Sequence, residues 1–250
     1  MKRDFQKNQP ELMDVPQPVS PELERDLANL TSLNRHFGSH TLIRRFLEAW
    51  LEPHHSYRIL DLCTGPGDIP RLIVDWARER GVTVHVVAVD AAAATLQVAQ
   101  AQSAGYPEIE WRCADALNFS DGGTFDLVYC SLALHHFSEE DAIKVLQRCR
   151  DLSHHYALVA DLERTLSAVA GVWLLTQFIY RDHMTRYDGR LSVRRAFSYS
   201  ELSALAAAAG WSEFQQARFM FCRQAIWMTG RAFGDIPVPV VEMSEMPCPV

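Results

Sequence analysis

A strand, a glycine-containing loop and the start of a helix follow one another directly at residues 59–68, whose sequence is ILDLCTGPGD. The apolar run closes on Asp61, Gly65 and Gly67 follow it, and an amphipathic stretch begins immediately afterwards. Glycine lets a ligand approach the backbone closely, and the free N–H groups of a helix start attract polar or anionic ligand groups. The pattern predicts an α/β fold with a ligand-binding loop at a strand end.

Later apolar runs repeat this arrangement, and each ends on a polar residue. Residues 82–89 are largely β-branched and close on Asp90, as expected for a strand covered on both faces of a parallel sheet. Further runs end on Asp115, Ser131 and Asp161, and helical patterns separate most of them. Each acid alone could be a helix cap. Their joint placement predicts a doubly wound α/β sheet with ligand groups at the carboxyl ends of its strands.

The composition of the loop indicates which nucleotide-like ligand it suits. A dinucleotide-binding loop has a third glycine three residues after the second, and here that position is Pro70. Asp68 follows Gly67, and a carboxylate there would repel a pyrophosphate but suit an amino group or a positive charge. Asp90, about 20 residues beyond the loop, is placed to bind two ribose hydroxyls. We therefore expect a ligand without phosphates rather than NAD.

These segments, together with the sequences ADA at 114–116 and FDLVYCSLALHHF at 125–137, resemble the class I S-adenosylmethionine-dependent methyltransferases. The resemblance covers roughly residues 40–230, and the LHHF stretch is most similar to the small-molecule group that includes quinone-biosynthesis methyltransferases. It implies a doubly wound, mostly parallel seven-stranded sheet with an antiparallel final strand. A capping box at residues 198–201 would open the last helix, and two strand-like runs follow it.

The resemblance also implies where S-adenosylmethionine, and its product S-adenosylhomocysteine, would bind. The expected contacts run from the loop through the ribose and adenine to the methyl group: Asp61, Thr64, Gly65, Gly67, Asp90, Ala91, Asp115, Ala116, Ser131 and Leu132. In relatives an N-terminal helical segment lies over the cofactor, so Arg35 is the expected partner of the methionine carboxylate. A solvated helix face is the alternative for Arg35. Cys63 departs from the glycine that many members have there.

Methyl transfer from a sulfonium needs an in-line acceptor and exclusion of water, and many acceptors must also lose a proton. His135 and His136 follow the fourth strand, beside the expected position of the methyl group. An extended backbone would point them in opposite directions, so that at most one would reach the substrate. They are candidate catalytic residues, although a structural or cofactor-adjacent role is the preferred interpretation. His183 and Tyr187 are rival candidates.

Two regions outside the core are expected to set the substrate. The predicted organisation is a tail and helical cap at 1–57, a cofactor-binding core at 58–162 completed by 198–231, a lid insertion at 163–197 and a tail at 232–250. Within the cap, a long helical pattern is broken near Gly38 and ends before Pro53. The proline-rich tail is interpreted as a strap or a disordered segment.

The lid insertion carries aromatic side chains that suit a flat or greasy substrate. Residues 169–178 are predicted to form a helix, and residues 181–195 are interpreted as a loop that could close over the site. The expected substrate contacts in the lid are Trp173, Phe178, Tyr180 and Tyr187.

Charge and composition argue against several kinds of partner. The net charge is −7, from 24 basic and 31 acidic residues without a basic block, so nucleic acid is not an expected partner. No apolar run approaches the length of a membrane span. Six cysteines without Cys-x-x-Cys spacing fit a reducing cytoplasm. His36 and His40 have metal-pair spacing but no third ligand, so we expect no metal. A homodimer is compatible with the sequence.

The sequence thus predicts a methyltransferase acting on a small, aromatic or lipid-like molecule, with an oxygen acceptor favoured, carbon next and nitrogen third. An enzyme with a carbon acceptor would be of the quinone-biosynthesis type. A nicotinamide-dependent oxidoreductase and a non-catalytic cofactor-binding protein are two further possibilities. Binding of NAD without S-adenosylmethionine would favour the oxidoreductase, and release of S-adenosylhomocysteine would exclude the non-catalytic protein.

Overall fold

The computed structural model describes residues 1–230, and within this range seven strands form one mixed sheet. The strands are β1 (Ser56–Leu62), β2 (Thr83–Asp90), β3 (Ile109–Cys113), β4 (Phe125–Ser131), β5 (Ser153–Leu162), β6 (Gln215–Phe219) and β7 (Arg223–Thr229). Their order is β3-β2-β1-β4-β5-β7-β6, with parallel pairing from β3 to β5. β7 is antiparallel to both β5 and β6. The predicted doubly wound sheet with an antiparallel final strand is confirmed.

Helices connect the strands and precede them. They are α1 (Pro21–His36), α2 (Ser39–Trp50), α3 (Asp68–Arg80), α4 (Ala93–Ala101), α5 (Glu139–Leu152), α6 (Leu166–Phe178), α7 (His183–Arg195) and α8 (Tyr199–Ala208). Ser20 caps α1, and Ser198 with Glu201 forms the predicted capping box of α8. Gly38, at φ +89°, separates α1 from α2 and so confirms the predicted break.

Alternate residues of the central strands face two apolar layers. In β1, Ile59 packs into the layer formed with α2 and α3, whereas Leu60 packs into the layer formed with α5 and α8. Aromatic rings close the first layer, where Trp50 stacks on Tyr156 with centroids 4.6 Å apart. Because both faces are covered, the strands read in the sequence as continuous apolar runs.

The segment predicted as a closing loop is a helix instead. Residues 181–195 contain α7, which begins after Asp182, whose side chain accepts the N–H of Met184. Gly189 lies inside this helix, where the side chains of Thr176 and Val172 on α6 pack against it. Gly189 therefore serves close helix packing, which single-sequence reasoning does not separate from a turn.

Three further expectations concern membrane-spanning helices, the cysteines and the C-terminal tail. None of the helices within residues 1–230 is long and apolar enough to cross a membrane. Five of the six cysteines lie in the same range, and two of them, Cys130 and Cys149, are buried free thiols. Cys248 and the predicted tail at 232–250 lie outside the described residues.

Candidate functional site

A cavity of about 750 Å³ opens at the carboxyl ends of β1, β2 and β4. The strand order reverses between β1 and β4, which is where open α/β sheets bind ligands. Nine of the residues expected to contact the cofactor line this cavity: Asp61, Thr64, Gly65, Asp90, Ala91, Asp115, Ala116, Ser131 and Leu132. The topology thus brings together residues from four separate parts of the sequence.

The loop after β1 borders the cavity, and three of its residues have a left-handed backbone conformation. Cys63, Gly65 and Gly67 all have positive φ angles, of 64°, 54° and 68°. Cys63 occupies this left-handed region without being glycine, which costs about 1 kcal/mol or more. The N–H of Gly65 donates to Asp90 Oδ2 at 2.8 Å, so β2 holds the loop in place.

Gly67 does not line the cavity, and its lack of a side chain is a packing requirement. A Cβ atom there would lie 2.5 Å from the ring of Trp111. We expect Gly67→Ala to destabilise the fold by about 2–4 kcal/mol, because it combines left-handed strain with a steric clash. Gly122→Ala is a matched control, since Gly122 has φ +67° but no atom within 4 Å.

Urea denaturation of the two variants separates these contributions. Gly122→Ala should cost about 1 kcal/mol, which is the backbone strain alone. Equal losses of unfolding free energy in both variants would show that the Trp111 ring moves aside without cost, and would contradict the prediction.

Asp90 keeps free acceptor capacity although its carboxylate already has partners. Oδ1 accepts the N–H of Ala92 at 2.9 Å, and Oδ2 accepts that of Gly65 at 2.8 Å. A carboxylate offers about four lone-pair positions, so two remain for hydroxyl donors. Burial raises the pKa of Asp90, and the two backbone donors oppose that shift.

Three carboxylates surround the loop end of the cavity. Burial raises the pKa of Asp61 to about 7, with the nearby charges of Asp68 and Asp90 adding to the shift. Asp68 receives Asn34 Nδ2 at 3.2 Å and lies 2.7 Å from His40 Nε2. Because the charges of Asp68 and Asp90 disfavour ionisation of Asp61, a positively charged ligand would be favoured at this end of the cavity.

Several residues predicted for the site are placed elsewhere. Arg35 lies on the exposed face of α1, and its neighbour Asn34 lines the cavity instead. His183 is exposed at the start of α7. Neither of these two predicted residues borders the cavity.

The predicted lid aromatics also lie away from the cavity lining. Trp173 and Phe178 are 46% and 59% exposed, Tyr187 is half-buried on α7, and the Tyr180 hydroxyl bonds to Ser32 Oγ at 3.0 Å. The wall is formed by another face of α6, because Val172, Leu175 and Thr176 follow helical i, i+3, i+4 spacing. Together with α1 it presents Leu30, Leu33, Val172 and Leu175 to the cavity.

His135 and His136 lie side by side, because the extended backbone that would point them in opposite directions does not form there. The chain turns into a short 3₁₀ helix, Leu134–His136, directly after β4. The two imidazole rings are 4.4 Å apart between centroids, and both line the cavity. A 3₁₀ turn replaces the period of two assumed for an extended chain.

Carboxylates surround these two imidazoles in a group that we call the Glu11 cluster: Glu11, Asp14, His135, His136 and Asp161. Asp161 Oδ1 lies 2.7 Å from His135 Nδ1, and its other oxygen accepts the His135 N–H. Asp14 Oδ2 lies 2.6 Å from His136 Nδ1. Burial alone would lower the pKa of His136, but the charges of Glu11 and Asp14 raise it to about 10.

Glu11 and Asp14 were not predicted from the sequence, because the first residues form a polar stretch without periodicity. This segment is fixed over the site because Asp188 on α7 accepts the N–H groups of Leu12 and Met13. Arg3 also donates to the carbonyl of Phe137 at 2.7 Å. No periodic pattern marks such contacts, whereas Asp161 was visible as the end of the fifth strand.

Comparison with known proteins finds similarity to methyltransferases. Residues 59–155 match the family model described as a methyltransferase domain. The 2-phytyl-1,4-naphtoquinone methyltransferase of Thermosynechococcus vestitus is 43% identical over 81 residues, which are 32% of this chain and 35% of that protein. The chain thus matches about a third of the length of this curated relative.

Solved structures share the fold at low sequence identity. The plantazolicin methyltransferase BpumL in complex with S-adenosylhomocysteine aligns with a TM-score of 0.58 and 15% identity, covering 84% of this chain and 96% of that one. A candidate O-methyltransferase from Nostoc punctiforme aligns with a TM-score of 0.62 and 16% identity, covering 88% and 63%. These likenesses extend the similarity beyond the matched domain to most of the fold.

Proposed function

We propose that this chain is a class I S-adenosylmethionine-dependent methyltransferase, which moves a methyl group from S-adenosylmethionine to an oxygen of a small aromatic or lipid-like molecule. One observation carries this proposal. A single cavity joins the acid-lined loop after β1 to the apolar wall of α1 and α6, and four members of the Glu11 cluster also line it: Glu11, Asp14, His135 and His136. Such a cavity suits a cationic cofactor and an apolar acceptor in contact with each other.

The residues at the loop end fit the cofactor. The acidic surroundings of Asp61 and Asp68 suit its amino group and sulfonium, and Asp90 retains acceptor positions for the ribose hydroxyls. Asp115 and Ala116 would border the adenine, and Ser131 and Leu132 would lie near the sulfonium. When bound, the cofactor supplies an electrophilic methyl group and leaves as S-adenosylhomocysteine.

The Glu11 cluster is our candidate for the acceptor end. His135 and His136 lie four and five residues after Ser131, so their Nε2 atoms are suited to contact the acceptor oxygen. Leu30, Leu33, Val172 and Leu175 would hold its apolar part and exclude water. His183, which is exposed, is not assigned a catalytic role.

A carbon acceptor is the second candidate, and one observation favours it. The relative that is 43% identical over 81 residues is a quinone methyltransferase by name.

The free, buried thiols of Cys130 and Cys149 support a reducing, cytoplasmic setting, as expected from the sequence. A small-molecule acceptor rather than nucleic acid remains part of the proposal, because the chain carries no basic block.

The Asp90 assignment predicts a loss of cofactor affinity. We expect Asp90→Ala to weaken binding of S-adenosylhomocysteine at least tenfold, about 1.4 kcal/mol, because the ribose loses its acceptor and the loop loses the partner of Gly65. Calorimetric titration measures this directly. Glu24→Gln, at an exposed site on α1, is the control, and equal affinity in both variants would contradict the assignment.

Product analysis tests the reaction itself. The protein is incubated with labelled S-adenosylmethionine and a panel of phenols, hydroquinones and hydroxylated lipids, and release of S-adenosylhomocysteine is followed. NMR of the product distinguishes a methoxy group from a ring-bound methyl group. Cofactor binding without turnover of any panel member would favour a non-catalytic cofactor-binding protein, and a ring-bound methyl group would favour the carbon acceptor.

A further inference from the structure

Three potential ligand atoms converge within the Glu11 cluster. Glu11 Oε1 lies 3.8 Å from His135 Nε2, and Glu11 Oε2 lies 3.7 Å from His136 Nε2. These separations are too long for hydrogen bonds. One ligand atom from each of the three residues lies within 4.8 Å of the other two. Two ligands on one ion, with bonds of about 2.0–2.2 Å and tetrahedral to trigonal angles, lie roughly 3.3–3.8 Å apart. The observed spacing therefore matches that of atoms around a shared cation.

The Nδ1 atoms of both imidazoles already contact carboxylates. His135 Nδ1 is held by Asp161 at 2.7 Å, and His136 Nδ1 is held by Asp14 at 2.6 Å. Because a carboxylate only accepts, each Nδ1 carries a proton, and each Nε2 faces Glu11. Metal-binding histidines commonly have this carboxylate–imidazole arrangement, which orients the ring and raises its basicity.

Glu11 is itself held in position and buried. Its side chain is 2% exposed, and Ser192 Oγ donates to Oε1 at 2.9 Å. His135 is 3% exposed. Burial of the Glu11 carboxylate is costly, and a metal ion shared with the two imidazoles would offset that cost.

We infer that Glu11, His135 and His136 bind a divalent first-row transition-metal ion. Two imidazoles and one carboxylate form a donor set suited to zinc, manganese, iron or cobalt, with coordination positions left for water or substrate. The site lines the cavity, so an acceptor oxygen could complete the coordination. That role rests on the proposed function, whereas the metal site itself does not. It replaces the sequence expectation of no metal, which considered only His36 and His40.

Cobalt binding tests this site without any need for turnover. Chelator-treated full-length protein is titrated with Co²⁺, and the visible absorption and bound metal are measured. We expect one ion per chain, with affinity at least 100-fold lower in Glu11→Gln and His136→Gln. Asp161→Asn should weaken binding about 10–100-fold, because it only orients His135. S-Adenosylhomocysteine affinity within twofold of wild type shows that each variant is folded.

A second His–Asp group, near the starts of β4 and β5, provides the control. Asp126, His154 and His155 also lie close enough to share an ion, and His154 is exposed. His154→Gln should leave the Co²⁺ affinity unchanged. No stoichiometric Co²⁺ binding to folded protein, or binding lost in His154→Gln and retained in Glu11→Gln, would overturn the inference. Co²⁺ binding without any S-adenosylhomocysteine binding would overturn the proposed function and leave the metal site standing.

Discussion

Glu11→Gln is expected to lower kcat for methyl transfer by about 10³-fold, equivalent to about 4 kcal/mol in the activation barrier. The glutamine has nearly the same shape and can still accept from Ser192, so the local fold is retained. It removes the negative charge facing both Nε2 atoms, whether the cation between them is a proton or a metal ion. The acceptor oxygen would then lose the groups that favour its deprotonated form.

The cofactor site provides an internal control for this experiment. Glu11 comes from the N-terminal segment, whereas the expected cofactor contacts come from the strand ends, so S-adenosylhomocysteine affinity should change less than twofold. Glu24→Gln, with its exposed carboxylate on α1, should retain wild-type kcat. Turnover of Glu11→Gln within fivefold of wild type would remove Glu11 from the catalytic site and move the acceptor towards another wall of the cavity.

The parts of the site that the sequence predicts are those fixed by local patterns. Apolar runs ending in Asp61, Asp90 and Asp115 predict parallel strands, and the shared direction of parallel strands brings their ends to one edge. Strand order and the family resemblance together named the nine expected cofactor contacts that line one cavity. The loop glycines follow the same logic, although only Gly65 lines the cavity and Gly67 packs against Trp111.

The end of the cavity proposed for the acceptor, at the Glu11 cluster, could not be predicted in the same way. It depends on contacts between segments that are distant in the sequence. Glu11 reaches His135 across more than a hundred residues, held by Asp188 through the N–H groups of Leu12 and Met13. Packing also sets the orientation of a helix about its own axis. Because α6 is apolar on all sides, its sequence does not reveal that Val172 faces the cavity and Trp173 faces solvent. The surfaces that we propose to contact the substrate therefore come from packing rather than from a motif.

Asp61 connects the cofactor site to the stability of the fold. Its carboxylate is 2% exposed at the end of β1 and faces the cavity. Asp68 on α3 and Asp90 on β2 are the nearby acids, and Tyr129 on β4 and Thr64 in the loop supply hydroxyl groups. The hydroxyls lower its pKa, but burial and the two acids outweigh them and raise it to about 7.

This raised pKa predicts that ionisation of Asp61 destabilises the folded protein. The unfolded carboxyl titrates near 3.8 and the folded one near 7, so the native state binds more protons between these values. The contribution of Asp61 to stability is therefore intact below about pH 4, is lost as the pH rises, and is fully lost above about pH 7. The difference of about three pKa units corresponds to about 4 kcal/mol.

Asp61→Asn isolates this effect, because asparagine mimics the protonated carboxyl and does not titrate. Urea denaturation of both proteins from about pH 4 to about pH 8 should give similar unfolding free energies at the acid end. The asparagine variant should become the more stable protein by up to about 4 kcal/mol at the alkaline end. Other titrating groups affect both proteins alike, so the difference between the two curves belongs to Asp61. Parallel curves over this range would mean that the carboxylate is solvated in the folded protein, and the acid-lined end would then lose its selectivity for a cationic cofactor.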